Sequence, residues 1–204
     1  MVKNEDKKIN AKGYGFVIVS PDIFEQCRKD RNIKDKKMIS YFSKDNNSFY
    51  EFIAQGAFIP VHHLNYDRYS LFFSIGHYDK ELVKDWNIKV VWKDFNLTVN
   101  NSNSLWAMEI DEVEKWSVNK LKKDIEHIEG KYYDINDNEF TEYKAIKYSI
   151  PENKYNVNIY GLEKKNKNKN KDTENYGFLF ELIEVENFIS KTDSSEINFR
   201  ELFE

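Results

Sequence analysis

From Trp86 to Ile110 large apolar side chains recur at every second position in three consecutive runs, Trp86-Asn87-Ile88-Lys89-Val90-Val91-Trp92, Phe95-Asn96-Leu97-Thr98-Val99 and Leu105-Trp106-Ala107-Met108-Glu109-Ile110. A period of two places those side chains on one face of an extended strand, whereas a helix needs a period of 3.6. The stretch from Trp86 to Trp116 therefore predicts sheet. A weaker set runs from Tyr155 to Phe188, through Tyr155-Asn156-Val157-Asn158-Ile159-Tyr160 and Phe178-Leu179-Phe180-Glu181-Leu182.

The two stretches align. Glu109/Glu181, Glu112/Glu184, Val113/Val185 and Glu114/Glu186 are identical, and Trp106/Phe178, Ile110/Leu182 and Trp116/Phe188 are alike. In both, the apolar phase slips at the same place, before Val113 and before Val185, which marks a bulge or a strand end. Upstream, Leu71 to Ile75 matches Ile146 to Ile150 in the same order. The expected fold is α+β and mostly antiparallel β: two similar meander-type β units joined by a helix, with an N-terminal β-helix-helix segment.

The boundaries follow from local signals. Residues 1–12 read as a flexible charged leader and 13–116 as the first α+β unit. Within it, Gly13 to Val19 reads as a buried strand. Ser20-Pro21-Asp22 opens a helix with a cap, a first-position proline and an acid in the first turn. Asp45 or Asn46 caps a second helix over Ser48 to Gln55, stopped at Gly56. Ala57 to Leu64 and Arg68 to Ile75 predict a hairpin across Asn65-Tyr66-Asp67. Ser117 then caps a linking helix over 117–130, with Val118, Leu121, Ile125 and Ile128 as its core stripe and Gly130 as its stop. The second β unit spans 131–190 and carries the Lys-Asn tract of 163–175, which has no apolar anchor and predicts a mobile loop. In the tail, 191–204, the spacing of Ile197, Phe199, Leu202 and Phe203 predicts a short docked helix.

Chemistry is sparse. No phosphate loop, dinucleotide fingerprint, metalloprotease helix or nucleophile elbow is present, so no cofactor is expected. One cysteine, Cys27, excludes an internal disulfide and a multi-cysteine zinc site. Adjacent His62 and His63 on a strand point to opposite faces. If the 57–76 hairpin closes, His63, His77 and Asp79 form a His, His, carboxylate set suited to zinc or iron in a small hydrolase or other metal-dependent enzyme. A net charge of -4 from 31 basic and 35 acidic residues is too small to imply a nucleic-acid partner by itself. That alternative rests on the basic tract after the first helix and on the Lys-Asn loop. No run approaches the ~18 apolar residues of a membrane span, so the expected location is the cytoplasm.

The leading expectation is a non-enzymatic binding protein. Glu109, Asp111, Glu112 and Glu114, echoed by Glu181, Glu184 and Glu186, predict two acidic strand edges able to orient a basic protein partner. A small, acidic chain without catalytic motifs and rich in Tyr and Trp resembles in general character an immunity or inhibitor protein that neutralises a bacterial toxin by direct binding. Heavy use of Lys, Asn, Ile and Tyr fits an AT-rich bacterial genome.

Overall fold

The computed structural model describes residues 2–78, 80–121, 124–133, 137–167, 174–188 and 197–204. Among the described residues ten strands form one sheet: β1 (Val2–Asn10), β2 (Gly15–Val19), β3 (Phe58–His62), β4 (Arg68–Ile75), β5 (Trp86–Val99), β6 (Ser104–Glu109), β7 (His127–Tyr133), β8 (Glu139–Ser149), β9 (Asn153–Lys164) and β10 (Tyr176–Glu184). Their order is β3-β2-β6-β8-β1-β4-β10-β9-β5, with β7 paired to β8 off that path. Pairing is antiparallel except for β1 with β8 and β4 with β10. The sheet curls until its two ends almost meet. There Thr98 N–H donates to the Gly56 carbonyl at 2.9 Å, the Thr98 hydroxyl to Gln55 at 2.9 Å and the Asn96 amide to Ala54 at 3.3 Å. The result is a nearly closed barrel.

Alternation decides what fills it. Phe16 and Ile18 of β2, Leu105 and Ala107 of β6, Ile146 and Tyr148 of β8, Phe73 of β4 and Phe178, Phe180 and Leu182 of β10 all point inward into one core. The intervening residues Val17, Val19, Trp106 and Met108 point outward and are covered by α1 (Pro21–Asp30), α2 (Met38–Phe42), α3 (Asn46–Ala54) and α4 (Ile110–Glu114) through Phe24, Met38, Phe42, Phe52 and Val113. Because β2 is buried on both faces, its sequence is a continuous apolar run. A smaller outer cluster joins Phe72, Leu82, Val83, Leu162 and Leu179.

The two helices predicted in the N-terminal part form. Pro21 stands at the first position of α1, and the Asp45 side chain caps α3 by accepting from Ser48 N–H at 3.2 Å. Runs 86–92 and 95–99 are one bulged strand, β5, in which Asp94 takes a left-handed conformation (φ 69°). The tail docks as a 3-10 turn, Phe199–Phe203, with Phe199 and Leu202 buried in the barrel core.

Four expectations are corrected. The two meander units are one barrel-like sheet, and the internal repeat fails at its anchor pair: Trp106 lies outside the barrel beneath the helices, while Phe178 lies inside it. Alternation could not separate them, since both faces of β6 are buried. Among the described residues of 117–130 the linking helix is absent. Val118–Lys120 makes one 3-10 turn, and the chain enters β7 at His127. Leu121, Ile125 and Ile128 still reach the outer core, but β8 supplies backbone partners that a helix would have had to supply internally. β3 and β4 do not pair as a hairpin; β3 joins β2 and β4 joins β1 and β10. The charged leader is β1, which lies between β8 and β4 and buries Ile9 in the core. Residues 168–173 of the Lys-Asn loop lie outside the described residues. Among the described residues no helix is long and apolar enough to cross a membrane.

Candidate functional site

Strand direction gathers one set of termini at one end of the barrel: the ends of β1, β3 and β6 and the starts of β2, β4, β8 and β10. The Phe199–Phe203 turn plugs this end, with Phe199 against Trp92 and Phe203 against Tyr176. Above it stand exposed aromatic rings. Tyr14, between β1 and β2, is 77% exposed and holds a left-handed backbone (φ 69°), which is strained for a bulky residue. Its carbonyl accepts from Leu64 N–H at 3.0 Å, bringing it beside the 63–67 connection, where Tyr66 is 64% exposed. Tyr132 of β7 stacks on Phe140 of β8, and Tyr133 is 63% exposed.

A charged cluster ties these rings to the barrel. Lys12 Nζ donates to Glu142 Oε2 at 2.5 Å and lies over the Tyr132 ring; Asn10 donates to the same oxygen at 2.6 Å. Partial burial works against the Lys12 charge, but the hydrogen bonds to Glu142 and Tyr132 prevail and raise its pKa. Lys144 lies across Gly130, where an added Cβ would collide with its Cε. Lys144 also helps to wall a cleft of about 340 Å³ with Glu112, Lys120, His127 and Glu129.

Glu109 closes β6 at this end and follows the inward phase of Leu105 and Ala107. It is 2% exposed, and its Oε1 has no hydrogen-bond partner among the described residues. Burial, with the attraction of Lys12 opposing it, pushes its pKa from 4.5 up to about 7. An acid whose folded pKa exceeds its unfolded value costs stability progressively as pH rises between the two, and the cost is complete above the folded pKa. Glu109→Gln should therefore leave stability nearly unchanged at pH 4.5 and raise it at pH 8 by on the order of 2 kcal/mol. Urea unfolding at both pH values checks this, and an equal difference at the two would remove Glu109 as the source.

The seven acids expected at a binding edge do not form one. Glu109, Glu112 and Glu181 are buried. Glu112 pairs with Lys120 at 3.2 Å, and Glu181 accepts from Asn158, Tyr160 and the Tyr78 backbone. Burial alone would raise the Glu181 pKa, but those hydrogen bonds overcome it and lower it. Glu114 is half-buried and bonds Ser40. Asp111, Glu184 and Glu186 are exposed but belong to separate parts of the sheet, since β8, β1 and β4 stand between β6 and β10.

The proposed metal set is not assembled. His63 follows the end of β3 and packs on His62, whereas His77 follows the far end of β4 and is 97% exposed beside Glu181. An eight-residue strand separates the two positions by roughly 25 Å. Asp79 lies outside the described residues, and no group of three potential ligands occurs among those described. Cys27 is buried, donates to Gln55 at 3.1 Å, and has its thiol pushed up to about 11 by burial and Asp30. In the basic tract, Arg28 is held by Glu25 and the Ile33 and Asp35 carbonyls, and Arg31 pairs with Glu51.

The aromatic end escaped sequence reasoning because its rings come from three separate connections. The available signal was Tyr66 within the polar Asn-Tyr-Asp turn and the adjacent pair Tyr132-Tyr133, which alternation cannot place together on a core face. No family model matches the chain, and no curated protein or solved structure matches it either.

Proposed function

We propose that this chain is a protein-binding protein that engages its partner through the plugged end of the barrel, with Tyr14, Tyr66, Tyr133 and Phe140 as the contact residues. The observation that carries the reading is the set of exposed rings held on rigid strands and short connections. Tyrosine offers large amphipathic contact area at small conformational cost, and it is over-represented among residues that dominate interface energy. The strained Tyr14 backbone and the Lys12 charge stacked on Tyr132 fix ring positions before any partner arrives, which lowers the ordering cost of association. The narrower form of the proposal is an immunity or inhibitor protein that blocks a toxin at one-to-one stoichiometry. Its support is the general character of the chain, and the contacts assigned to it are aromatic in place of acidic.

A photoreactive phenylalanine analogue at position 14 or 133 should crosslink one predominant protein in the native host, while the same analogue at Ile88, exposed on β5, should not. Against that purified protein, Tyr14→Ala with Tyr66→Ala should weaken binding at least ~100-fold. Equal crosslinking from position 88, or affinity indifferent to the two substitutions, would discard this surface. If the captured protein is a toxin, one equivalent of the chain should abolish its activity.

A further inference from the structure

The geometry points to self-association: β7 is an edge strand built to pair antiparallel with β7 of a second copy, about a two-fold axis through Gly130. Among the described residues β7 hydrogen-bonds only to β8, so its other backbone edge has no strand partner. Its sequence, His127-Ile128-Glu129-Gly130-Lys131-Tyr132-Tyr133, is self-complementary about the central glycine. In that register Glu129, which holds His127 at 2.9 Å within its own chain, opposes the second copy's Lys131, which holds Glu139 at 2.8 Å, and the reverse, so these exposed contacts extend into two opposite-charge cross-strand pairs. Ile128 falls opposite Tyr132, and His127 opposite Tyr133, on alternate faces. A two-fold interface must be complementary to itself, and a single one-residue shift of register would lose both ion pairs.

The β5 edge is blunted, and this one is less so. β5 carries two register shifts and a left-handed Asp94, which twist an edge away from further pairing. β7 has one irregularity, between Ile128 and Glu129, and then runs straight through Gly130 to Tyr133. Gly130 carries no side chain of its own at the axis; Lys144 and the edge of the Tyr132 ring lie across it on one face, Lys144 drawn toward that ring. The inference does not rest on the partner-binding reading, and its test uses the purified chain alone.

Sedimentation of the purified protein over a concentration series should show a reversible monomer–dimer equilibrium. Glu129→Lys places like charges opposite each other, as does Lys131→Glu, and each variant alone should dimerise roughly ten- to a hundredfold more weakly. Mixed in equal amounts, the two variants should recover the dimer, because a chain with lysine at both positions then faces a chain with glutamate at both. Recovery on mixing cannot arise from damage to either fold, and circular dichroism of each variant should match the parent. A parent chain that stays monomeric at every concentration overturns the inference. So does a dimer that tolerates both single substitutions, or one that mixing does not restore.

Discussion

Replacing Phe178 with alanine should cost about 3–5 kcal/mol of stability. Phe178 is fully buried at the centre of the barrel, with Phe16, Tyr69, Trp92 and Phe199 around its ring at centroid distances of 5.5, 5.5, 6.3 and 6.4 Å. These neighbours come from β2, β4, β5 and the tail, so the cavity left behind cannot collapse without moving four elements. Chemical denaturation of Phe178→Ala beside Tyr133→Ala, an exposed control expected to change stability by less than ~0.5 kcal/mol, measures the effect. The transition should stay single, since strands from both ends of the chain share one core. A loss below ~1 kcal/mol, or two separate transitions divided near residue 120, would restore the picture of two independent units.

Gly56→Val should be nearly as damaging, with a loss of about 3 kcal/mol or more. Gly56 sits at φ 69°, and a Cβ there would stand 2.6 Å from Thr98 N and 2.8 Å from Leu97 C, both backbone atoms that cannot rotate away. The substitution combines left-handed strain with forced separation of the seam where β5 meets the segment leading into β3. Gly56→Asn distinguishes the two causes. Asparagine tolerates left-handed backbone, so it should be nearly neutral if strain alone mattered. Because its Cβ meets the same atoms, the expected result is a loss close to that of valine, together with faster amide exchange at Thr98. A neutral Gly56→Asn would show that the seam opens without cost.

How much of the site is legible in advance differs from residue to residue. The sequence marks Glu109 as an acid of interest, but as a solvent-facing one. Its position at the end of an alternating run is legible, yet its burial is not, and the charges that act on it there, Lys12, Glu142 and Lys144, come from distant segments. His63 and His77 meet only through a hairpin that local turn chemistry at Asn65-Tyr66-Asp67 favours. In the fold, Ala11 N–H donates to the Asp67 carbonyl instead, and β1 takes the place beside β4 that the hairpin would give to β3. Tyr14 has no signal of its own, because its exposure depends on Leu64 and the β2 start lying side by side.

Period-two alternation, the Pro21 start of α1, the Asp45 cap of α3, and the absence of catalytic fingerprints are local properties, written in neighbouring residues, and the sequence by itself determined them. It also determined that most strands are half or fully buried. Which face of a strand looks into the barrel was decided only by the tertiary structure. Alternation specifies two faces but not which neighbours cover them, so Trp106 and Phe178 carry the same pattern and lie on opposite sides of the wall. The fate of residues 2–10 and 127–133 was settled the same way. A chain with weak helical preference pairs as strand when an open backbone edge is offered, and β8 and β4 offered one.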